Sequence, residues 1–121
     1  MTLSIYAIAA LFGVAGVAHF VWPAPFVRIV PPYLPAPRML VYVSGAAEVL
    51  GAVGVLWPPT RPYAGWGLIL LLIAVFPANL HMALHPSDFP RIPAWGLYLR
   101  LPLQAVLIGW VYWALALRLP F

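Results

Sequence analysis

Cysteine is absent from this sequence. That excludes disulfides, thiolate metal sites and thiol redox chemistry, and it leaves the redox compartment unreadable. Lysine is absent too, and all six basic residues are Arg. They stand apart at 28, 38, 61, 91, 100 and 118, so a net charge of +4 makes no basic patch, and no nucleic acid is expected as a partner. Acid is scarcer still: Glu48 and Asp88 are the only carboxylate side chains. Charged residues total 7%, against about 25% in a soluble domain. Phosphate loops, nucleophile triads and metal-ligand spacings are all missing, so no metal site is expected.

Apolar residues fill the space left by charge. They make up 65% of the 121 residues, with mean hydropathy +1.01. Such a chain cannot cover a water-facing surface, so lipid is its main solvent and the bilayer its first partner. Apolar runs lie near 3–22, 39–57, 63–83 and 95–117, each about long enough to cross the hydrocarbon as a helix. Backbone groups in lipid must satisfy one another, which leaves helices as the spanning form. The chain reads as one transmembrane domain over 1–121, an all-α four-helix bundle. The first run has no Lys or Arg before it and no convincing cleavage site, so it is expected to be a retained span rather than a signal peptide.

Proline is the other abundant residue, and it is concentrated between spans. PPTRP at 58–62 is a short link, which makes spans two and three a tight hairpin. The segments 23–38 and 84–94 are longer, rich in proline and too apolar for free loops. Both are expected to pack as caps on one side of the membrane, called here the cap side; the chain ends mark the terminal side. The caps resemble each other in order: His19, Phe26, Arg28, Ile29 and Arg38 align with His81, Phe89, Arg91, Ile92 and Arg100. That order points to two tandem two-helix repeats. Chance and shared interfacial chemistry form the competing explanation. Arg28, Arg38, Arg91 and Arg100 fall on the cap side and Arg61, Arg118 and the amino terminus on the other; the count slightly favours cytoplasmic caps, an excess that vanishes if Arg100 lies within the membrane, so the orientation stays open.

Depth then groups the polar residues. At 1.5 Å of rise per residue, His19, Glu48, Asn79, His81, Arg100 and Gln104 all fall in the cap-side half of the spans. Gly16 and His19 share a stripe, as do Ser44 and Glu48, and Arg100 and Gln104. Pro77 stands just before Asn79 and disturbs its facing. An ionisable residue within a span usually faces the interior, and Arg100 is the expected ion-pair partner of Glu48, through its planar fork. These six residues are the candidate ligand pocket; their bland alternatives are register-fixing pairs, interfacial caps and cross-helix hydrogen bonds. A bis-imidazole haem on His19 and His81 is set aside, because neither His has supporting motif context.

At these residues the sequence resembles the small DoxX-like membrane proteins. The resemblance lies in GVAHF (16–20), IVPPYLP (29–35), SGAAEVLG (44–51), WGLILLLIAVFPANLHMA (66–83) and LRLPLQAVLIGWVYW (99–113). It implies a four-helix integral membrane protein of the bacterial inner membrane, connected with quinone-linked oxidoreductases, and it carries no agreed catalytic residue. The expected function is a non-catalytic subunit or accessory factor, with a polar intramembrane pocket for a lipophilic ligand such as a quinone. A quinone carbonyl would accept from Arg100, His19 or His81. A quinone or another lipid is then the cofactor class, and another membrane protein or an oxidoreductase subunit the protein partner. Two alternatives stay open. One is an assembly factor in which the Glu48–Arg100 pair is purely structural. The other is an acid–base enzyme on a lipid-soluble substrate, which requires Glu48 within one water of a His or an Arg.

Overall fold

A computed structural model describes residues 2–117; Met1 and residues 118–121, Arg118 among them, lie outside the described residues. The described chain is all helical, with no strand among its residues. Its helices are α1 (Thr2–Val21), α2 (Pro23–Ile29), α3 (Pro37–Leu56), α4 (Arg61–Ala74), α5 (Phe76–Leu84) and α6 (Ala94–Ala114). A 3-10 turn, Pro86–Asp88, precedes α6. Four helices are long and apolar enough to cross a membrane, with α4 and α5 together forming the third. This fits an integral membrane protein.

Proline sets most of these boundaries. It opens α2 and α3, and it occupies the first turns of α4 and α5, where a missing N–H costs nothing. Pro77 also breaks the third span. Without an N–H it cannot bond the carbonyl four residues back, and the helix interrupts at Val75 before resuming at Phe76. Ala36, between Pro35 and Pro37, turns the chain into α3 with φ of 48°, a left-handed conformation that a non-glycine residue adopts only under constraint.

Close approaches fix the arrangement of the spans. A Cβ on Gly13 would meet Ala52, one on Gly16 would meet Val49, and one on Gly45 would meet His19. As numbers rise along α1 they fall along α3, so the two are antiparallel. Gly51 and Gly54 run against Leu68 and Ala64 in the same sense, which makes α3 and α4 the hairpin. α6 packs on α4 and α5 and touches α1, closing a helical bundle in which α3 lies between α1 and α4. The core fills the terminal half. Ile8, Phe12, Val55, Leu68, Val111 and Ala114 are buried there. At that end Thr60 Oγ1 donates to the Gly54 carbonyl at 2.6 Å, and Arg61 Nε donates to that of Val55 at 2.7 Å. These donors take up carbonyls that the end of α3 leaves without helical partners.

Candidate functional site

The site is built on the crossing of α1 and α3. Gly16 and Gly45 lie so close that a Cβ on Gly16 would fall 2.7 Å from the Gly45 carbonyl oxygen, and one on Gly45 would fall 2.9 Å from that of Gly16. Only glycine permits that approach. Three residues beyond each glycine stands a polar residue, His19 on α1 and Glu48 on α3. The arrangement is reciprocal: the space opened by Gly45 is filled by His19, and the space opened by Gly16 is bounded by Glu48. Sequence spacing therefore delivers both polar side chains to one seam.

His19 Nδ1 lies 2.6 Å from the Ala15 carbonyl oxygen. A carbonyl only accepts, so Nδ1 carries the hydrogen and donates it back to its own helix, and Nε2 is the second ring nitrogen to be satisfied. Phe26 of α2 stacks on the imidazole with ring centroids 3.9 Å apart, holding the first cap onto the seam. The nearer carboxylate oxygen of Glu48 is 3.6 Å from Nδ1, too far to receive a proton already committed to Ala15. Glu48 Oε2 is buried and has no hydrogen-bond partner. Buried polar groups are normally satisfied, so an orphaned carboxylate oxygen calls for an explanation.

Glu48 also lines a cavity of about 320 Å³. His19, Ser44, Glu48 and Asn79 supply its polar wall, while Phe26, Pro31 and neighbouring aliphatic residues of α2, α3 and the Val75 break complete an apolar one. This volume and this mixture, mostly apolar with a few convergent polar groups, are those of small-molecule pockets.

A second polar cluster sits across the break. Gln104, buried on α6, donates from Nε2 to the Leu72 carbonyl and accepts at Oε1 from Asn79 Nδ2, at 2.7 Å. Leu72 lies in the last turn of α4, whose carbonyls lack helical donors once the helix is interrupted. Gln104 thus repairs the break that Pro77 makes, and Asn79 joins this repair to the pocket wall. The expected facing of Asn79, obscured by Pro77, resolves toward both.

The expected Glu48–Arg100 ion pair does not form. The charged or chargeable neighbour within 4 Å of Glu48 is His19. The physical reason is the order of the helices: α3 packs between α1 and α4, whereas Arg100 rides on α6, which packs on α4 and α5. Shared depth does not imply a shared side. Arg100 is half-buried and lines no part of the cavity. His81 also stands apart, its ring 4.3 Å from that of His85 and edge-on to Phe89. Of the six expected pocket residues, the structure gathers His19, Glu48 and Asn79 at the cavity, sets Gln104 directly behind Asn79, and leaves His81 and Arg100 outside. Phe26 and the Leu72 carbonyl were not anticipated; the proline breaks beside them were their signal. Among the described residues no group of His, Asp and Glu side chains is arranged to hold a metal ion.

The chain belongs to the family described as a domain of unknown function (DUF8561), whose model matches residues 8–116. No curated protein and no solved structure matches it at a significant level.

Proposed function

We propose that this member of the DUF8561 family is an integral membrane protein that holds a lipophilic small molecule in the cap-side cavity, as a non-catalytic subunit or accessory factor. One observation carries the reading: Glu48, its Oε2 buried and without a partner, stands at the wall of a mostly apolar cavity. Leaving such a group unsatisfied costs about 1–3 kcal/mol, and a ligand hydroxyl would remove that cost. The geometry favours binding over proton transfer through the His19–Glu48 contact. His19 does stand within the distance that an acid–base role requires, but its Nδ1 hydrogen already bonds Ala15.

A quinone or its quinol is the ligand class we favour, with the ring among Phe26, Pro31 and Val41 and, in the quinol, a hydroxyl donating to Glu48. That choice and a bacterial inner-membrane setting both rest on the DoxX-like resemblance of the polar punctuation in the spans. The two tandem repeats belong to the same reading. They are supported by a His–Phe ring contact in each half, His19 stacked on Phe26 and His81 edge-on to Phe89. In this reading only the first repeat carries a carboxylate within a span, since the position matching Glu48 is Trp110. The test is organic extraction of the purified protein with mass-spectrometric identification of what is released. Glu48→Gln is expected to lower the bound amount at least tenfold relative to the unaltered chain. Equal occupancy in both, or no lipophilic molecule in either, overturns the proposal.

A further inference from the structure

The two caps meet over a groove of about 370 Å³, separate from the cavity beneath them. From α2 it receives Arg28 and Ile29; from the second cap it receives Phe89, Arg91 and Ile92. Arg28 and Arg91 hold matching places in the two caps, as do Ile29 and Ile92, so the groove brings together equivalent residues of the two halves of the chain. Both guanidinium groups are exposed, and among the described residues neither has a carboxylate within 4 Å. Asp88 also lines the groove but pairs with neither. The balance of the lining is therefore one positive charge over an apolar floor.

We infer that this groove binds the phosphate of an acidic glycerophospholipid. The guanidinium fork matches phosphate oxygens in pairs, and two forks from opposite walls hold one anion from both sides. The groove lies at the ends of the spans, the depth at which headgroups sit, and basic residues there attract acidic lipid by about 1 kcal/mol each. Its apolar floor suits the glycerol and the first methylenes of the acyl chains, a surface that a free phosphate ion would leave uncovered. Recognition depends on the outer side of the cap and not on Glu48, so this inference stands apart from the ligand proposed for the inner cavity.

The test uses the full chain in a neutral detergent, titrated with phosphatidylglycerol, with phosphatidylcholine and with inorganic phosphate, and followed by the thermal unfolding midpoint. Phosphatidylglycerol is expected to raise the midpoint by several degrees, with little change from the other two. Arg28→Gln and Arg91→Gln should each weaken its affinity roughly fivefold, the equivalent of about 1 kcal/mol per basic group, and the double variant more than tenfold. Asp88→Asn, an exposed change that spares both arginines, should tighten it severalfold. Equal responses to the two lipids, an unchanged double variant, or weaker binding by Asp88→Asn would each overturn the proposal. Full protection by inorganic phosphate alone would overturn the lipid and assign the groove to a free anion.

Discussion

At the terminal end of the bundle, Thr60 and Arg61 give their side-chain donors to carbonyls of α3, and Trp110 Nε1 donates to Ser4 Oγ at 3.2 Å, tying α6 to α1. The space between these contacts is filled by Ile8, Phe12, Val55 and Val111. At the cap end α1, α2, α3 and the α4–α5 break line a cavity whose wall includes Glu48, and Glu48 Oε2 is buried there without a partner. Composition does not account for the contrast, since both ends draw on apolar helices and a few polar residues. The difference lies in how polar groups are used. At one end Thr60 and Arg61 complete a backbone that would otherwise be open, Trp110 and Ser4 satisfy each other, and that end can be dry and dense. At the other, the Asn79–Gln104 pair completes the backbone at the break, and Glu48 completes nothing within the chain. A polar group left over after the fold has met its own needs is the one available to a ligand.

The comparison can be broken most severely at the glycine seam. Gly16→Leu drives a side chain into the Gly45 carbonyl, and neither backbone can yield without separating α1 from α3. Overpacking usually costs about 1–3 kcal/mol, and the atom met here is a backbone oxygen, so a loss of roughly 3 kcal/mol is expected, with the cavity dismantled. Gly109→Leu is the control, because nothing lies within 4 Å of its Cβ direction and no change is expected. Gly51→Leu is intermediate, since its Cβ would meet the side chain of the buried Leu68, which can repack where a backbone carbonyl cannot. Chemical unfolding in detergent would rank the three. Equal effects at Gly16 and Gly109 would remove the seam as the origin of the site.

The terminal end is broken next by Arg61→Ala. It strips the Val55 carbonyl of its donor and weakens the hold on that of Leu56. A hydrogen bond from a charged donor contributes about 1.5–3 kcal/mol, and Arg61 is half-exposed, so roughly 1.5 kcal/mol of stability should go. Bound lipophile should be unaffected. A loss of ligand with no loss of stability would reverse the roles assigned to the two ends.

Gln104→Leu tests the cap-side polar group that belongs to the fold. It leaves the Leu72 carbonyl and the Asn79 amide unpartnered at the break, at a cost of about 1–2 kcal/mol. Because Asn79 works through Gln104, adding Asn79→Leu should cost less than the sum of the two single changes, by about 0.5 kcal/mol or more in a double-mutant cycle. Strict additivity would mean that the two amides do not act as one unit.

These outcomes also mark what the chain discloses before its structure is known. The spans were legible because lipid imposes length and composition on any segment that crosses it. The polar residues were legible as a layer, because rise per residue fixes depth. Their partners were not, because depth says nothing about which helices are neighbours. Glu48 and Arg100 share a depth, but α6 lies beyond α4 and α5, so opposite charge gave the wrong pairing. Gly16 and Gly45 held the better signal, each three residues from its polar group, but it has meaning only once the two stripes are known to face each other. Gln104 was harder still. Its main partner is a backbone carbonyl at the break that Pro77 makes, and the sequence marks the break without saying which helix repairs it.

The smallest effect on stability is expected where the effect on binding is largest. Glu48→Gln keeps the length and shape of the side chain and removes its negative charge. Without bound ligand, the native carboxylate has an oxygen with no hydrogen-bond partner and a His19 Nδ1 hydrogen already committed to Ala15. The fold therefore draws little from the charge, and burying an unpaired charge is itself unfavourable. Stability of ligand-free protein should stay within about 0.5 kcal/mol, the usual range for changes that break no structural contact, and a slight gain is the more natural direction. Were Glu48→Gln instead to cost about 2 kcal/mol or more, like the loss of a buried hydrogen bond, Glu48 would be completing the fold as Gln104 does. The two ends of the bundle would then no longer differ in kind. If stability holds while the lipophile is lost, the carboxylate is a polar side chain whose partner comes from outside the chain.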